Sequence, residues 1–568
     1  MELEFLLSKF TFGSVDDNSS VGKAGAQQPQ VLKMFFNGRP CDKEVVDVGR
    51  NEWHASGDGI DERRELLASV PYAEGHAEAF KKTERLAMCR WCLIIWVAAL
   101  LAALADAGPT RWAWATVMPG SHKLVIQDGK PPHVDSSMAS GHGAVAWASF
   151  QDDIFESGWS YLQIESNPYV EDEQQAYAAG ALEAYLTRQL MENQWANLFL
   201  PYCNNQTEYC SRVNEFLTKN LVYTREQQHK FKGSDPYWNV AHLMMRQLSG
   251  LSDVFENETL DYTHELILVC SALVKVVGDF EDIYIGHDAW FLYRGMLRIQ
   301  KHYVFPWHRT AHQTGVEDII PGHTLSMSSY AGKLISWDNF YLSSTGLAVT
   351  ETSIVNSNQT LWDTVIPESG PLTWIRSAIA CRLALTGKQW VDIVARDNSG
   401  TYFPDVFVIS DQLPRVEQYG DFYTFDNCPR AKIFKRDHVK VNDMDSMLKL
   451  MRYNDYKNDP LSVCNCTPPY NPTYAVAARY DLFDPQGTYD MPGMYRHAVG
   501  GVDAKVTNYS LFSLLEFVGV SGPTWDDQPP FQWSTTTFED GHVGQPDTWK
   551  FDPVHHQWTQ ARLSWRNS

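Results

Sequence analysis

The chain has 568 residues, 44% of them hydrophobic and 20 of them Trp, enough for a large ordered core. Its formal charge of −22 argues against nucleic acid or an anionic membrane surface as the main partner. Ten cysteines do not make a disulfide-dense scaffold at this length, and no Walker loop, His-Glu-x-x-His, Gly-x-Ser-x-Gly elbow or paired Cys-x-x-Cys occurs, so a zinc site and a serine-lipase mechanism have no support.

Residues 1–87 carry scattered charge, Gln, Gly and Ser without sustained periodicity. Residues 88–107 then read as a secretory signal: Arg90, an apolar run of 14 residues from Trp91 to Leu104, and an Ala105-Asp106-Ala107 cleavage site. The run is shorter than the ~20 residues that span a bilayer. Translation is expected to start at Met88, with 1–87 an extension foreign to the working protein. The rival reading is a membrane anchor with a tail of residues 1–87. Behind a signal, the sequons at Asn205, Asn257, Asn358, Asn465 and Asn508 become glycosylation candidates, and disulfides become admissible.

Residues 108–169 have strand character, with runs at 145–150 and 159–164 separated by Ser157-Gly158. Residues 171–200 predict a helix, because Tyr177, Leu182, Tyr185, Leu186, Leu190 and Trp195 recur near helical spacing. A second helix is predicted over 238–251. Residues 255–265 are polar and suit an exposed loop that can be trimmed.

The stretch 266–290 organises the chain. Two β-branched runs flank Gly278-Asp279-Phe280-Glu281-Asp282, which is the pattern of a β-hairpin. Cys270 lies in the first run and His287 at the end of the second. Antiparallel pairing puts His287 opposite residue 273 or so, within a few residues of Cys270. A thiol beside an imidazole is the start of a nucleophilic site. A Cys in an apolar strand is more often plain core.

Beyond Trp290 the pattern predicts a helix at 296–303, strands at 325–334, 339–342, 346–352 and 402–409, a helix at 374–386 that ends at Gly387, and a short helix at 445–453. No repeat or low-complexity linker divides 108–568, so these residues are expected to form one domain with a processing loop inside it.

The Cys270 hairpin resembles the processing site of the phospholipase B-like family. So do Ser336-Trp-Asp-Asn-Phe-Tyr341, Asp397-Asn-Ser-Gly-Thr-Tyr402, Pro429-Arg-Ala-Lys-Ile-Phe434, Met451-Arg-Tyr-Asn454, Gly500-Gly-Val-Asp-Ala-Lys-Val-Thr507 and Ser521-Gly-Pro-Thr-Trp525. The Cys464-Asn-Cys466 region and Ala477-Ala-Arg479-Tyr-Asp481 are more similar to its second, lysosomal branch. The resemblance implies an α+β fold of the N-terminal-nucleophile hydrolases, an αββα sandwich with two antiparallel sheets between helical layers. It implies self-cleavage between Val269 and Cys270, giving an N-terminal chain (108–269) and a catalytic chain (270–568) of one domain. It implies bridges Cys203–Cys210 and Cys464–Cys466, leaving Cys270, Cys381 and Cys428.

Carried over residue by residue, Cys270 would be the nucleophile, and His287 and Trp290 would line its pocket. Thr352 would face the same sheet. Asn454 would donate to the oxyanion, and Arg479 would hold substrate or the new N-terminus. Strand formation and ion pairing are the bland readings of Thr352 and Arg479. The freed α-amine, with a reference pKa of roughly 7.7–8.0, could deprotonate its own thiol. The implied activity is deacylation of phospholipids in the lysosome lumen or outside the cell. The partners implied are a lipid or acyl-amide substrate and the chain's own cleaved N-terminal part, with no metal, no cofactor, no nucleic acid and no stable membrane span. The alternatives are an amidase acting on N-acyl lipids or peptides, and a non-enzymatic lumenal glycoprotein.

Overall fold

The computed structural model describes residues 110–118, 123–131, 143–198, 207–255, 269–352, 365–398, 426–489 and 493–559, with Gly420 and Thr424. The extension 1–87, the signal-like stretch 88–107, the predicted strand 402–409, Cys203, Asn205, Asn257 and Asn358 lie outside the described residues.

Eight strands form the larger sheet: β1 (Arg111–Val117), β2 (Leu124–Asp128), β3 (Ala144–Asp153), β4 (Trp159–Ser166), β7 (Arg298–Val304), β8 (Thr324–Tyr330), β9 (Tyr341–Ser343) and β10 (Ala348–Val349). Their order is β10-β9-β8-β7-β4-β3-β1-β2. Both predicted runs around Ser157-Gly158 appear, as β3 and β4. One pair corrects the expectation of wholly antiparallel sheets: β4 and β7 run parallel, with Trp159 opposite Arg298. The long excursion between them makes that possible, since a parallel pair needs a crossover.

Among its described residues that excursion contains three helices, α1 (Asp172–Leu198), α2 (Thr207–Phe231) and α3 (Pro236–Phe255), followed by the hairpin. Helix α1 packs on β1, β3 and β4 and crosses α3 at close range. The crossing is notched by two glycines. A Cβ on Gly180 would lie 1.8 Å from the Gln247 carbonyl oxygen, and one on Gly250 would lie 2.0 Å from that of Tyr177. Helix α2 was not anticipated. Its buried stripe continues through Asn220, Thr224 and Gln228, so hydrophobic periodicity alone does not reveal it.

The predicted helix at 296–303 is in fact strand β7. Its residues are buried on both faces, including Gln300, Lys301 and His302, which removes the alternation by which a strand is read. The predicted helix at 374–386 stops early, as α4 (Thr373–Leu383). Gly387 does not end it. Thr386 instead caps a further helix, α5 (Gly387–Ala395), its side chain accepting the Gln389 N–H. Farther on come α6 (Pro429–Asp437) and α7 (Met444–Met451), the latter opened by a capping box between Asp443 and Ser446.

Five strands form the second sheet: β5 (Val269–Val277), β6 (Asp282–Leu292), β11 (Val499–Asn508), β12 (Val518–Ser521) and β15 (Val554–His555), in the order β15-β12-β11-β6-β5. Strands β13 (Phe531–Gln532) and β14 (Thr548–Trp549) pair separately. One face of the five-stranded sheet contributes Cys270, Ala289 and Phe291 to a core shared with Ile299, Leu325 and Met327 of the larger sheet. The other face packs Tyr284, Ala504 and Val506 against Met447, Leu448 and Met451 of α7. Mixed α and β structure with mainly antiparallel sheets is thus observed. Among the described residues no helix is long and apolar enough to cross a membrane.

Candidate active site

Strands β5 and β6 make the predicted hairpin, with Gly278 and Phe280 at positive φ in the turn. Cys270 pairs with Ala289 and Ala272 with His287. Side chains alternate along strands, so Cys270 and His287 share a face as diagonal neighbours, roughly 7–8 Å apart at Cα. Ala289 in turn pairs with Asp503 and His287 with Lys505 on β11, which puts those charged residues on the same face.

Cys270 is 2% exposed in the intact chain. Burial, then the carboxylates of Glu351 and Asp338, hold its thiol well above the ordinary range, while Lys505 and the Trp290 backbone N–H pull it down. The uncut chain therefore carries a thiol, not a thiolate. His287 is fully buried, and its Nε2 lies 2.9 Å from the Glu351 carbonyl oxygen. A carbonyl only accepts, so Nε2 holds the proton. Nδ1 is then a bare acceptor, and it has no hydrogen-bond partner. Burial, then Lys505, lower the His287 pKa to about 3.

Next to this pair lies a buried charge quartet. Arg298 Nη2 is 2.7 Å from both Asp338 Oδ2 and Asp503 Oδ2, and Lys505 Nζ is 2.6 Å from Asp338 Oδ2 and also bonded to Asp503. All four side chains are shielded from solvent. Burial opposes ionisation of Asp338, but Arg298 and Lys505 outweigh it and hold the carboxyl below its usual range. Ligating atoms of His287, Asp338 and Asp503 lie within 4.8 Å of one another, as in a metal site. Arg298 and Lys505 already supply two positive charges to those two carboxylates, so the charge is balanced without an ion.

The other expected site residues have the following surroundings. Trp290 pairs in register with Val269 and sits on the opposite face from the thiol. There its indole N–H donates to the Val476 carbonyl at 3.2 Å, and the Arg430 guanidinium stacks on its ring at 4.5 Å. Arg430 also donates to the Cys270 carbonyl at 2.6 Å and to Ser271 Oγ at 3.1 Å. Thr352 is half-buried and follows Glu351, whose carboxylate accepts from Asn339 at 2.6 Å. The Asn454 amide nitrogen donates to the carbonyls of Pro472 (3.0 Å) and Ala477 (2.6 Å), leaving Oδ1 without a partner. Arg479 is committed to both oxygens of Asp481 and to the carbonyls of Thr524 and Pro529.

Cys464 and Cys466 are bridged. Cys210 is also disulfide-bonded, and Cys203 lies outside the described residues. Asn465 is exposed, whereas Asn508 is half-buried, caps a turn at Leu511 and donates to Asp282 at 2.9 Å. The residues that sequence reasoning passed over are Asp288, Arg298, Asp338, Glu351, Arg430, Asp503 and Lys505. A charge inside an apolar strand, as at Asp288 or in Val502-Asp503-Ala504-Lys505-Val506, is the signal that could have found several of them.

The family model for phospholipase B matches residues 146–269, 259–403 and 402–556. A phospholipase B-like 2 protein of Homo sapiens is 34% identical over 535 residues, covering 77% of this chain and 88% of its own length. One from Caenorhabditis elegans is 32% identical over 526 residues, covering 77% and 89%. The phospholipase B-like protein C of Dictyostelium discoideum is 28% identical over 513 residues, covering 72% and 87%.

Proposed function

The chain belongs to the phospholipase B family, and from that premise we propose that it is a self-processed acyl hydrolase of the N-terminal-nucleophile type that deacylates phospholipids. The observation that carries the reading is the hairpin itself. Cys270 stands at the start of an edge strand, on one sheet face with a neutral imidazole whose Nδ1 is unpartnered. Layering supports it too: α1 lies on the larger sheet, the two sheets share a core, and α7 backs the smaller one, as in an αββα sandwich.

In the precursor, the Cys270 sulfur attacks the Val269 carbonyl carbon and the acyl group moves from nitrogen to sulfur. His287 Nδ1, the bare ring nitrogen on the face shared with Cys270, takes the thiol proton and hands it to the departing Cys270 nitrogen. Water hydrolyses the thioester and leaves Cys270 as a new N-terminus. Substrate then has to reach this thiol, which is buried in the uncut chain. The α-amine then takes the thiol proton, and the sulfur attacks the lipid acyl carbon. With the Asn454 amide hydrogens committed to carbonyls, oxyanion donation needs either their release or another donor.

The signal-like stretch, the sequons and the bridged cysteines support a lumenal site of action, in the lysosome or outside the cell. The test is processed protein assayed beside Cys270→Ser on phospholipids and on N-acyl amides. Turnover of phospholipid by the wild type alone supports the proposal. Turnover of amides alone makes the chain an amidase, and turnover of neither leaves a lumenal glycoprotein.

A further inference from the structure

On the face of the hairpin that carries Ser271, two buried side-chain oxygens have no hydrogen-bond partner. Asp288 is 2% exposed and its Oδ1 is unpartnered. Asn454 is fully buried and its Oδ1 is unpartnered as well. The Asn454 amide cannot be flipped to turn this acceptor into a donor, since its oxygen would then face the carbonyls of Pro472 and Ala477. A buried polar oxygen without a partner costs roughly 1–3 kcal/mol, so each of the two calls for a partner.

Asp288 pairs with Ser271, one residue from the peptide bond that the proposed reaction breaks. The segment 476–478 ties the surroundings together. Val476 O accepts from Ser271 and Trp290, Ala477 O from Asn454, and Ala478 O from the Gly501 N–H. Gly501 keeps the space beside Asp288 open, because a Cβ there would lie 2.9 Å from Asp288 Oδ1. Cutting the chain before Cys270 creates a donor at this place: an α-ammonium with three N–H bonds.

We infer that Asp288 receives the α-ammonium of Cys270 after the cut, with Asn454 Oδ1 as a second acceptor, and that the two are positioning residues for the hydrolysis. The inference rests on the function proposed above and names the groups that hold and orient the amine. The thiol proton passes to the α-amine, and the ammonium so formed is stabilised by the Asp288 carboxylate. The thiolate bonds to the acyl carbon, the carbon–oxygen bond of the ester breaks, and the ammonium returns its proton to the leaving oxygen. Water then cleaves the thioester and restores the thiol. Asp288 does for the amine what the buried carboxylate of a Ser-His-Asp triad does for its imidazolium.

The charged groups facing Asp288 agree with a cation being missing. Burial, then Asp503, hold its carboxyl well above the ordinary range, while Arg452, Lys505 and a hydrogen bond from Trp290 pull it down. Arg430 reaches the Cys270 carbonyl rather than Asp288. An ammonium beside Asp288 brings it into the ionised form.

The test uses mature protein labelled with isotopic cysteine, the Cys270 α-nitrogen being followed by NMR against pH. In wild type the amine should titrate at least about one unit above the free reference of roughly 7.7–8.0, because a neighbouring carboxylate favours the charged form. In Asp288→Asn the value should drop by about one unit or more. The rising limb of the pH–rate profile should move down with it, and kcat should fall ~10²-fold with KM within about threefold. A wild-type amine titrating at or below the reference overturns the inference, even if Asp288→Asn does not fold. So does an Asp288→Asn protein with an unmoved amine and limb. A wild-type chain that is never cut before Cys270 overturns both this inference and the proposed function, whereas a cut, active enzyme with an unmoved amine overturns this inference alone.

Discussion

His287 Nε2 donates to the carbonyl of Glu351 across 2.9 Å, and that single bond fixes which ring nitrogen is left bare on the face shared with Cys270. The Glu351 carboxylate accepts separately from Asn339 at 2.6 Å. If His287 takes the thiol proton in self-cleavage, His287→Ala should slow chain splitting by ~10²–10⁴-fold. A time course of the two fragments on a denaturing gel measures this. Splitting at the wild-type rate would remove His287 from the mechanism.

Lys505 tests the charge quartet. Lys505→Met leaves Asp338 and Asp503 to share Arg298 in a site closed to solvent. Breaking a buried pair in this way costs about 3–5 kcal/mol. Chemical denaturation in a Cys270→Ala background, where a single chain unfolds, should show a loss of that order. A loss below about 1 kcal/mol would mean that water or rearrangement already satisfies the two carboxylates.

The notch between α1 and α3 predicts a backbone effect. Gly180→Ala places a methyl against the Gln247 carbonyl, and a carbonyl cannot rotate away as a side chain can. Overpacking of this kind costs about 3 kcal/mol and should lower Tm by several degrees. Gly387→Ala, where a Cβ meets nothing within 4 Å, should leave Tm within about one degree of wild type.

The buried histidines predict acid lability. Burial is the main cause that lowers His287 to about 3 and His302 to about 3. The unfolded chain binds their protons from about pH 6.5 downward, while the folded chain binds them only near pH 3. Their contribution is therefore fully present above pH 6.5 and shrinks as pH falls through that window. His302 also accepts or donates at Ser326 Oγ across 2.7 Å and stacks on Trp558. Tm should fall from pH 6.5 to 4, and the slope should be shallower in His302→Gln. An equal slope would show that other groups govern the profile.

The parts of the fold that were legible are those in which local pattern and burial agree. Two β-branched runs around Gly278–Asp282 could be little but a hairpin, and the register puts His287 opposite Ala272, one residue from the expected place. Helix α1 announced itself through Leu182, Leu186 and Leu190. Legibility failed where polar residues do the packing. Strand β7 buries Gln300, Lys301 and His302, with Lys301 paired to Glu183 at 2.6 Å. The buried face of α2 includes Asn220, whose amide donates to the carbonyls of Pro367 and Gly370. The nucleophile candidate was visible because thiol and imidazole lie on one hairpin. Arg298, Asp338, Asp503 and Lys505 come from three separate stretches, and only the docking of the two sheets assembles them.

Whether residue 270 becomes a chain start is read out by intact mass and N-terminal sequencing of purified protein, run beside Cys270→Ala. Wild type should yield a fragment that begins at Cys270, and Cys270→Ala should remain one uncut chain. A wild type that stays whole, or a Cys270→Ala protein that still splits after Val269, would contradict self-cleavage by Cys270.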